Sequence, residues 1–175
     1  MRTLTMCLLL FALPLSSLQG AEPARAEEPP SYTATQMSRA VLAGVHVGLD
    51  RAVANGTVAA SVEACVRAID DDALAPLYQR LFRERITPEQ IRELDAFYRS
   101  DLGQRYFRWS INQLRTQQNL PILDPVDFDT QAQERANAFH ATEAGKALTA
   151  MSSPEDAAAA NAINEAIAAL LAPCR

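Results

Sequence analysis

The sequence is poor in the residue types that most often carry out chemistry. Its 175 residues include two histidines and three cysteines. It has no Cys-x-x-Cys pair and no Gly-rich loop for cradling phosphate, which argues against a redox-active dithiol and against a nucleotide site. Runs of alternating β-branched residues are also missing. Because such alternation is what indicates strands, the sequence predicts an all-α fold.

Positive charge is in short supply as well. The formal net charge is −5, and from Glu27 onward 14 basic residues stand against 20 acidic ones. This balance argues against nucleic acid as a partner. The charge is uneven, with eight arginines and five acids in residues 78–120 but three bases and eight acids in residues 121–175. The Arg-rich middle therefore either meets acidic ligands or faces the acidic remainder of the chain.

The first 26 residues have the pattern of a secretory signal peptide. Arg2 gives a charged start, and an apolar run follows over residues 6–18. The run is too short for a membrane span but has the length of a secretory apolar region. The Ala-Arg-Ala segment predicts cleavage after Ala26, and cleavage after Gly20 or retention as a membrane anchor are the alternatives. We therefore expect an exported, periplasmic protein.

The remaining chain predicts one compact helical domain. A short Pro-rich linker is expected to extend to residue 34, and the domain covers residues 35–175. No later stretch of about 20 uninterrupted apolar residues occurs, so no transmembrane segment is expected in the mature chain. Apolar positions three and four apart predict about seven helices. The helical patterns outside the paired helices described below cover residues 35–54, 58–69, 74–85 and a last segment that begins at Ser153.

Two cysteines, Cys65 and Cys174, follow the predicted cleavage site. An even pair in an exported protein predicts a disulfide. Both lie on apolar stripes of predicted helices, so their side chains are expected to face the core. The bridge would close a loop of about 110 residues and stabilise the fold by roughly 4–5 kcal/mol in the loop-entropy account. Two buried free thiols are the alternative.

The densest pattern is a predicted helical hairpin over residues 87–118. Thr87 can cap the first helix, and Gln90 can complete a capping box. Ser100 can cap the second helix directly after the first has ended. The hairpin also carries much of the aromatic content of the chain, including Phe97 and Tyr98.

A second, weaker copy of this hairpin is predicted over residues 129–151. A shift of 42 residues aligns the two segments. The shared pattern is an aromatic residue that packs inward, a hydroxyl cap, an acid in the first turn and a glycine where two helices cross closely. The aligned pairs are Phe97 with Phe139, Ser100 with Thr142, and Gly103 with Gly145.

No catalytic, cofactor or metal site is predicted. His46 has no second ligand one turn away, so we expect a partly buried, hydrogen-bonded histidine, for which Asp50, four residues on, is a candidate partner. His140 aligns with Tyr98 and predicts a packing role at a helix end. Three consecutive acids at 70–72 lack the spacing of a calcium loop, and negative charge at a helix start explains them. Paired carboxylates for hydrolysis have only nearby candidates: Glu84, Glu89, Glu93 and Asp95.

Small-ligand binding has one candidate surface. The aromatic residues of the hairpin either pack as core or line an apolar pocket, and the neighbouring arginines suit an anionic headgroup. Gly44 and Gly48, four residues apart on the first helix, suit a close helix contact. The residues of the possible ligand surface are Arg99, Arg105, Arg108 and Trp109.

The hairpin resembles a bacterial exported family known as domain of unknown function 2059. Members show Phe-Thr-x-x-Glu-Leu followed by Phe-Tyr-x-Ser-x-x-Gly. Residues 97–103 read Phe-Tyr-Arg-Ser-Asp-Leu-Gly and match the second pattern. Residues 86–91 keep Thr87 and an apolar Ile91 but depart at Ile86 and Gln90. The resemblance implies a helical periplasmic protein and brings no activity, cofactor or functional residue with it.

Three functions fit these observations. The first is a non-enzymatic binding or interaction module of the cell envelope, whose partner is an envelope protein or a small ligand. The second is a carrier of a small apolar or lipid-like anion. The third is an envelope hydrolase, which would need a pocket with two acids about 5–10 Å apart.

Overall fold

A computed structural model describes residues 29–153 and 156–175, so the predicted signal peptide lies outside the described residues. Within these ranges the chain forms eight α-helices and no strand, which confirms the all-α prediction with one helix more than expected. The helices are α1 (Tyr32–Ala54), α2 (Ala60–Arg67), α3 (Ala75–Arg85), α4 (Pro88–Arg99), α5 (Asp101–Gln117), α6 (Thr130–His140), α7 (Glu143–Met151) and α8 (Ala157–Leu171), followed by a short 3-10 turn at Ala172–Cys174.

Helix α1 begins three residues earlier than its periodicity predicts. Ser31 caps it by accepting a hydrogen bond from the backbone of Ala34. The carboxylate of Asp95 on α4 accepts bonds from the backbone N–H groups of Tyr32 and Thr33, at 3.1 and 2.7 Å. These contacts satisfy N–H groups that a helix start leaves unpaired. A partner 63 residues away is invisible to a local pattern, and residues 32–34, which were expected to belong to the linker, are helical.

The α4–α5 hairpin has the predicted caps. Thr87 and Gln90 form a capping box at the start of α4. Ser100 ends α4 and caps α5, because its hydroxyl donates to the carbonyl of Phe97 at 2.6 Å and accepts from the backbone N–H of Gly103 at 3.1 Å. One residue thus joins two helices.

The α6–α7 hairpin repeats this junction. Thr142 donates to the carbonyl of Phe139 at 2.7 Å and accepts from the N–H of Gly145 at 3.2 Å. A Cβ atom at Gly103 or Gly145 would overlap the backbone at the end of the preceding helix. Glycine is therefore required at both junctions by close approach.

The two hairpins meet through their equivalent aromatic residues. The rings of Phe97 and Phe139 stack with centroids 3.8 Å apart and planes 3° from parallel. Around this contact, α1, α3 and α4 supply most of the large buried side chains. The largest fully buried apolar side chains are those of Leu42, Phe82 and Leu94.

Helix α8 differs from its predicted start. The cap is Asp156, which accepts from the N–H of Ala159 at 3.0 Å and pairs with Arg85 on α3 at 2.7 Å. The helix therefore begins after Asp156 and not at Ser153, where its pattern predicts it. By length and composition alone, residues 157–174 are long and apolar enough to cross a membrane, and 11% of that stretch is buried. The inner side of the helix nevertheless packs on the core through Ile163, Ile167 and Leu170.

The predicted disulfide is present. Cys65 on α2 is bonded to Cys174, with the two Cα atoms 5.5 Å apart and 109 positions apart in sequence. A second, small apolar cluster surrounds the bridge and includes Leu49 and Val66. The bridge fixes the C-terminal end of the chain to the end of α2.

Glycine substitutions should separate the two kinds of glycine in this fold. We expect Gly103→Ala to lower the free energy of unfolding by about 2 kcal/mol, because the methyl group has no space at the junction. Gly48 is a matched control, since it is helical, exposed and has no atom within 4 Å of a built Cβ. Gly48→Ala should stabilise the protein by about 0.5–1 kcal/mol through higher helix propensity. Urea unfolding measures both, and equal effects would contradict the close approach at Gly103.

Removal of the disulfide should be costly. In the loop-entropy account, replacing Cys65 and Cys174 by serine lowers the free energy of unfolding by roughly 4–5 kcal/mol. Urea unfolding of the double variant measures this loss. Reductant should produce a similar loss in the wild-type protein and no change in the variant, and a reductant effect on the variant would contradict this account.

Candidate functional site

The four residues of the predicted ligand surface lie in different places. Arg99 places its guanidinium 4.4 Å from the centre of the Tyr32 ring. Arg105 pairs with Asp101, one turn away on α5, at 2.8 Å. Trp109 packs on Tyr106 and Phe128. Only Arg108 lines an open cleft.

Most of the hairpin aromatics pack as core. Phe97 and Tyr98 are buried, and Tyr106 contacts the rings of Phe128 and His140. Phe107 is the exception among them, because it lies on the opposite side of α5 and lines the cleft. The hairpin aromatics other than Phe107 therefore pack as core, and the cleft lies on a different face of α5.

The cleft lies between α1 and α5 and has a volume of about 350 Å³. Helix α1 contributes Ala43, His46, Val47 and Asp50, which follow the three- and four-residue spacing of one helical face. Helix α5 contributes the corresponding face, formed by Phe107, Arg108, Ile111, Asn112 and Arg115. Arg67 of α2 and two loop residues, Leu123 and Asp124, complete the lining.

Two buried side chains of α5 hold the loop that borders the cleft. Asn112 donates to the carbonyl of Asp124, and the Nε atom of Arg115 donates to the carbonyl of Pro121, each at 2.7 Å. Between these attachments Ile122 and Leu123 are 51% and 70% exposed. Of these two apolar side chains, that of Leu123 lines the cleft.

A partly buried ion-pair cluster lines the cleft. The carboxylate of Asp50 pairs with Arg67 at 2.8 Å and with Arg115 at 2.5 Å. Burial opposes ionisation of Asp50, but the bonds from Arg115 and Arg67 outweigh it and hold the pKa of the carboxyl below its ordinary value of 3.8. Asp50 is therefore an anion that fixes two arginines in place.

This cluster corrects the prediction for His46. Asp50 pairs with arginines from α2 and α5 rather than with the histidine one turn away. His46 is half-buried and lines the cleft. Among the described side chains, its Nε2 atom is buried and has no hydrogen-bond partner.

His140 has the packing role expected of it. It ends α6, and its ring contacts Phe97, Tyr106 and Phe139. Burial among these rings lowers the pKa of the imidazole, because an apolar environment disfavours the charged form.

Three of the four acids proposed for hydrolysis form hydrogen bonds or ion pairs that have a structural role. Asp95 holds the start of α1, while Glu84 pairs with Arg85 and Glu89 with Arg92. Across residues 29–153 and 156–175, no group of three metal-binding side chains comes together. The acids that line the cleft are Asp50 and Asp124, and neither is among the four candidates for hydrolysis.

Sequence reasoning missed most of the cleft. The sequence pattern gives no role to Arg67, Arg115 or Leu123, and the candidate pair of His46 with Asp50 does not form, because Asp50 pairs with arginines. One usable pattern was present, since Arg108, Asn112 and Arg115 recur at four and three residues on α5. That face carries polar groups next to Phe107 and Ile111 and is unlike the aromatic face on the other side of the helix.

Removal of the Asp50 carboxylate should destabilise the fold in a pH-dependent manner. At pH 7, Asp50→Asn should lower the free energy of unfolding by roughly 2–3 kcal/mol, because Arg115 keeps a buried charge. The folded pKa of Asp50 lies below the unfolded one. Its stabilisation is therefore present above about pH 4 and is lost as the pH falls through the folded pKa. Urea unfolding at several pH values measures the difference between variant and wild type.

Asp72→Asn is the matched control for this experiment. Asp72 pairs with Arg39 through two contacts of 2.7 and 3.1 Å, but its side chain is 41% exposed, against 17% for Asp50. Loss of an exposed pair should change stability by less than about 1 kcal/mol. An Asp50→Asn effect as small as the control, or one that does not shrink in acid, would contradict the role of the cluster.

Comparison of the chain with family models, with curated proteins and with solved structures found no match. The likeness of residues 97–103 to the domain of unknown function 2059 therefore stays a proposal that depends on that segment.

Proposed function

We propose that this chain is an exported, non-enzymatic binding module that holds a small amphipathic anion in the cleft between α1 and α5. The observation that carries the proposal is an apolar wall directly beside a set of arginines within one concave site. Binding sites for small molecules combine these two features, since apolar contacts supply affinity and a few polar groups fix orientation.

The apolar wall sets the size of the ligand. It consists of Ala43, Val47, Phe107, Ile111 and Leu123. At roughly 30 Å³ for each water-sized group, the cleft has room for about a dozen non-hydrogen atoms. A chain of about eight carbons with a compact headgroup matches this volume.

The arginines favour a negative headgroup. Arg115 already bonds to Asp50 and to the carbonyl of Pro121 in the loop. It therefore adds positive electrostatic potential to the cleft rather than a free hydrogen-bond donor. Arg108 has a looser partner, because its contact with Asp124 is 3.7 Å long and its side chain is 44% exposed. Arg108 is therefore the cation that an incoming anion can engage at the smallest cost.

Two features support export to the cell envelope. The N-terminal sequence has the charged start, apolar run and cleavage motif of a signal peptide. The Cys65–Cys174 disulfide is of a kind that persists in oxidising compartments. The resemblance of the α4–α5 hairpin to an exported family agrees with both.

The cleft fits a hydrolase less well. A general acid needs a carboxyl whose pKa is raised so that it holds a proton near neutral pH. Asp50 has the opposite property, since two arginines keep it ionised.

Octyl sulfate is a suitable probe, because it has thirteen non-hydrogen atoms and a permanent negative charge. We expect calorimetric titration to show binding at least tenfold tighter than that of octyltrimethylammonium, which has the same tail and a positive head. Ala43→Phe should weaken octyl sulfate binding by at least tenfold, because the new ring fills the cleft. Equal binding of the two surfactants, or none of octyl sulfate, would refute the proposal.

The chain offers a matched control for the cleft variant. Ala54, at the exposed end of α1, is not part of the cleft lining. Ala54→Phe adds the same ring to the same helix and should leave octyl sulfate binding unchanged. A similar loss in both variants would show that the probe binds elsewhere or follows general stability.

A further inference from the structure

We infer that the rim of the cleft recognises a zwitterionic headgroup of the α-amino acid type, in which Arg108 binds the carboxylate and Asp124 binds the ammonium group. The inference rests on the proposed function and names the class of ligand that the same site takes. It begins from these two side chains, the rim pair, which both line the cleft. Their nearest atoms, Nη1 of Arg108 and Oδ2 of Asp124, lie 3.7 Å apart, which is too long for a hydrogen bond.

The other charged side chains of the cleft lining already have hydrogen-bonded partners. Asp50 bonds to Arg67 at 2.8 Å and to Arg115 at 2.5 Å. Arg67 bonds in addition to Glu63 at 2.9 Å. The side chains of the rim pair, by contrast, are 44% and 64% exposed. Because a guanidinium has several N–H donors and a carboxylate has several acceptor sites, a ligand can bind to both charges of the rim pair.

The backbone fixes the position of the rim pair, while its exposed side chains can turn toward a ligand. The buried side chain of Asn112 donates to the main-chain carbonyl of Asp124 at 2.7 Å. Asn112 and Arg108 lie one turn apart on α5, so the two opposite charges are held side by side at one edge of the cleft. Separating these charges costs little, because an exposed ion pair contributes little to stability.

A zwitterion complements the rim pair better than a simple anion does. An anion that binds Arg108 comes close to the carboxylate of Asp124, which repels it and loses its own cationic neighbour. A headgroup with both charges gives each member of the rim pair a hydrogen-bonded partner of opposite charge. Binding therefore replaces one loose ion pair by two hydrogen-bonded ones.

An α-amino acid with an aliphatic side chain fits the dimensions of the site. Its carboxylate and ammonium groups are attached to neighbouring carbon atoms, so its two charges are a few ångströms apart, as are those of the rim pair. Its side chain can lie on the apolar wall beside Phe107 and Ile111. 2-Aminooctanoate has eleven non-hydrogen atoms, which agrees with the room for about a dozen such atoms in the cleft.

Three probes with the same eight-carbon chain separate the contributions of the two charges. 2-Aminooctanoate carries both charges, octanoate carries the negative one and octylammonium the positive one. In calorimetric titrations at pH 7, we expect 2-aminooctanoate to bind about fivefold more tightly than octanoate, and octylammonium to bind most weakly. Binding of octanoate that is as tight as that of 2-aminooctanoate would overturn the inference.

Replacement of Asp124 should change the affinities for two of these probes in opposite directions. Asp124→Asn should weaken binding of 2-aminooctanoate about fivefold, because the ammonium group loses its partner. The same variant should tighten binding of octanoate about twofold, because a repelling charge is removed. Arg108→Gln should weaken binding of both probes. Opposite changes within one variant cannot result from a folding defect.

Asp127→Asn is the matched control for Asp124→Asn. Asp127 belongs to the same loop and is exposed, but it is not part of the cleft lining. Its replacement alters the net charge of the protein by the same amount and should change the affinity for either probe less than about twofold. Urea unfolding confirms that both variants are as stable as the wild-type protein.

The outcomes distinguish this inference from the proposed function. An Asp124→Asn variant that changes the affinities for 2-aminooctanoate and octanoate in the same direction overturns the zwitterion site, and octyl sulfate binding then leaves the binding module standing. An equal effect of Asp127→Asn would assign the change to the overall charge and would also overturn the inference. Absence of binding of octyl sulfate and of all three probes overturns the binding module and the zwitterion site together.

Discussion

The tight, hydroxyl-capped junction between two helices, one residue long between α4 and α5 and two residues long between α6 and α7, is the constraint on which this fold depends. Ser100 and Thr142 each donate to the carbonyl that ends one helix and accept from the N–H that opens the next. So short a connection leaves no space for a side chain at the third position of the second helix, and glycine follows. Both junctions carry the same two hydrogen bonds, and their equivalent aromatic residues, Phe97 and Phe139, stack face to face and join the hairpins. The core and the cleft lie on opposite faces of α5, which this junction orients.

The sequence predicts those parts of the structure in which the interacting residues are close together in the chain. The Thr87 capping box spans four residues, and the hydroxyl–glycine pattern recurs at a fixed shift. The disulfide is the exception in distance, yet it follows from chemistry, since only two cysteines remain after the predicted cleavage. The start of α1 was misplaced because its stabilising partner, Asp95, comes from another helix.

The cleft could not be predicted for the same reason. Asp50 pairs with two arginines, 17 and 65 residues away in the sequence, and not with His46, which is four residues away. A guanidinium offers several donors to a carboxylate, whereas an imidazole offers one at most when neutral. The arginines in the Arg-rich middle of the chain also pair with acids from different parts of the sequence. Arg85 and Arg108 reach acids of the C-terminal part, while Arg115 reaches back to α1.

The way in which the loop is attached has a consequence for ionic strength. Asn112 and Arg115 hold it through backbone carbonyl oxygens, which carry no net charge, and both donors are buried. Salt screens exposed charges over about 10 Å at 0.1 M but acts weakly on such buried contacts. The exposed contact between Arg108 and Asp124 is open to screening. Rising salt should therefore free the rim arginine while the width of the cleft stays fixed, so that the shape and the charge of the site respond separately to the medium.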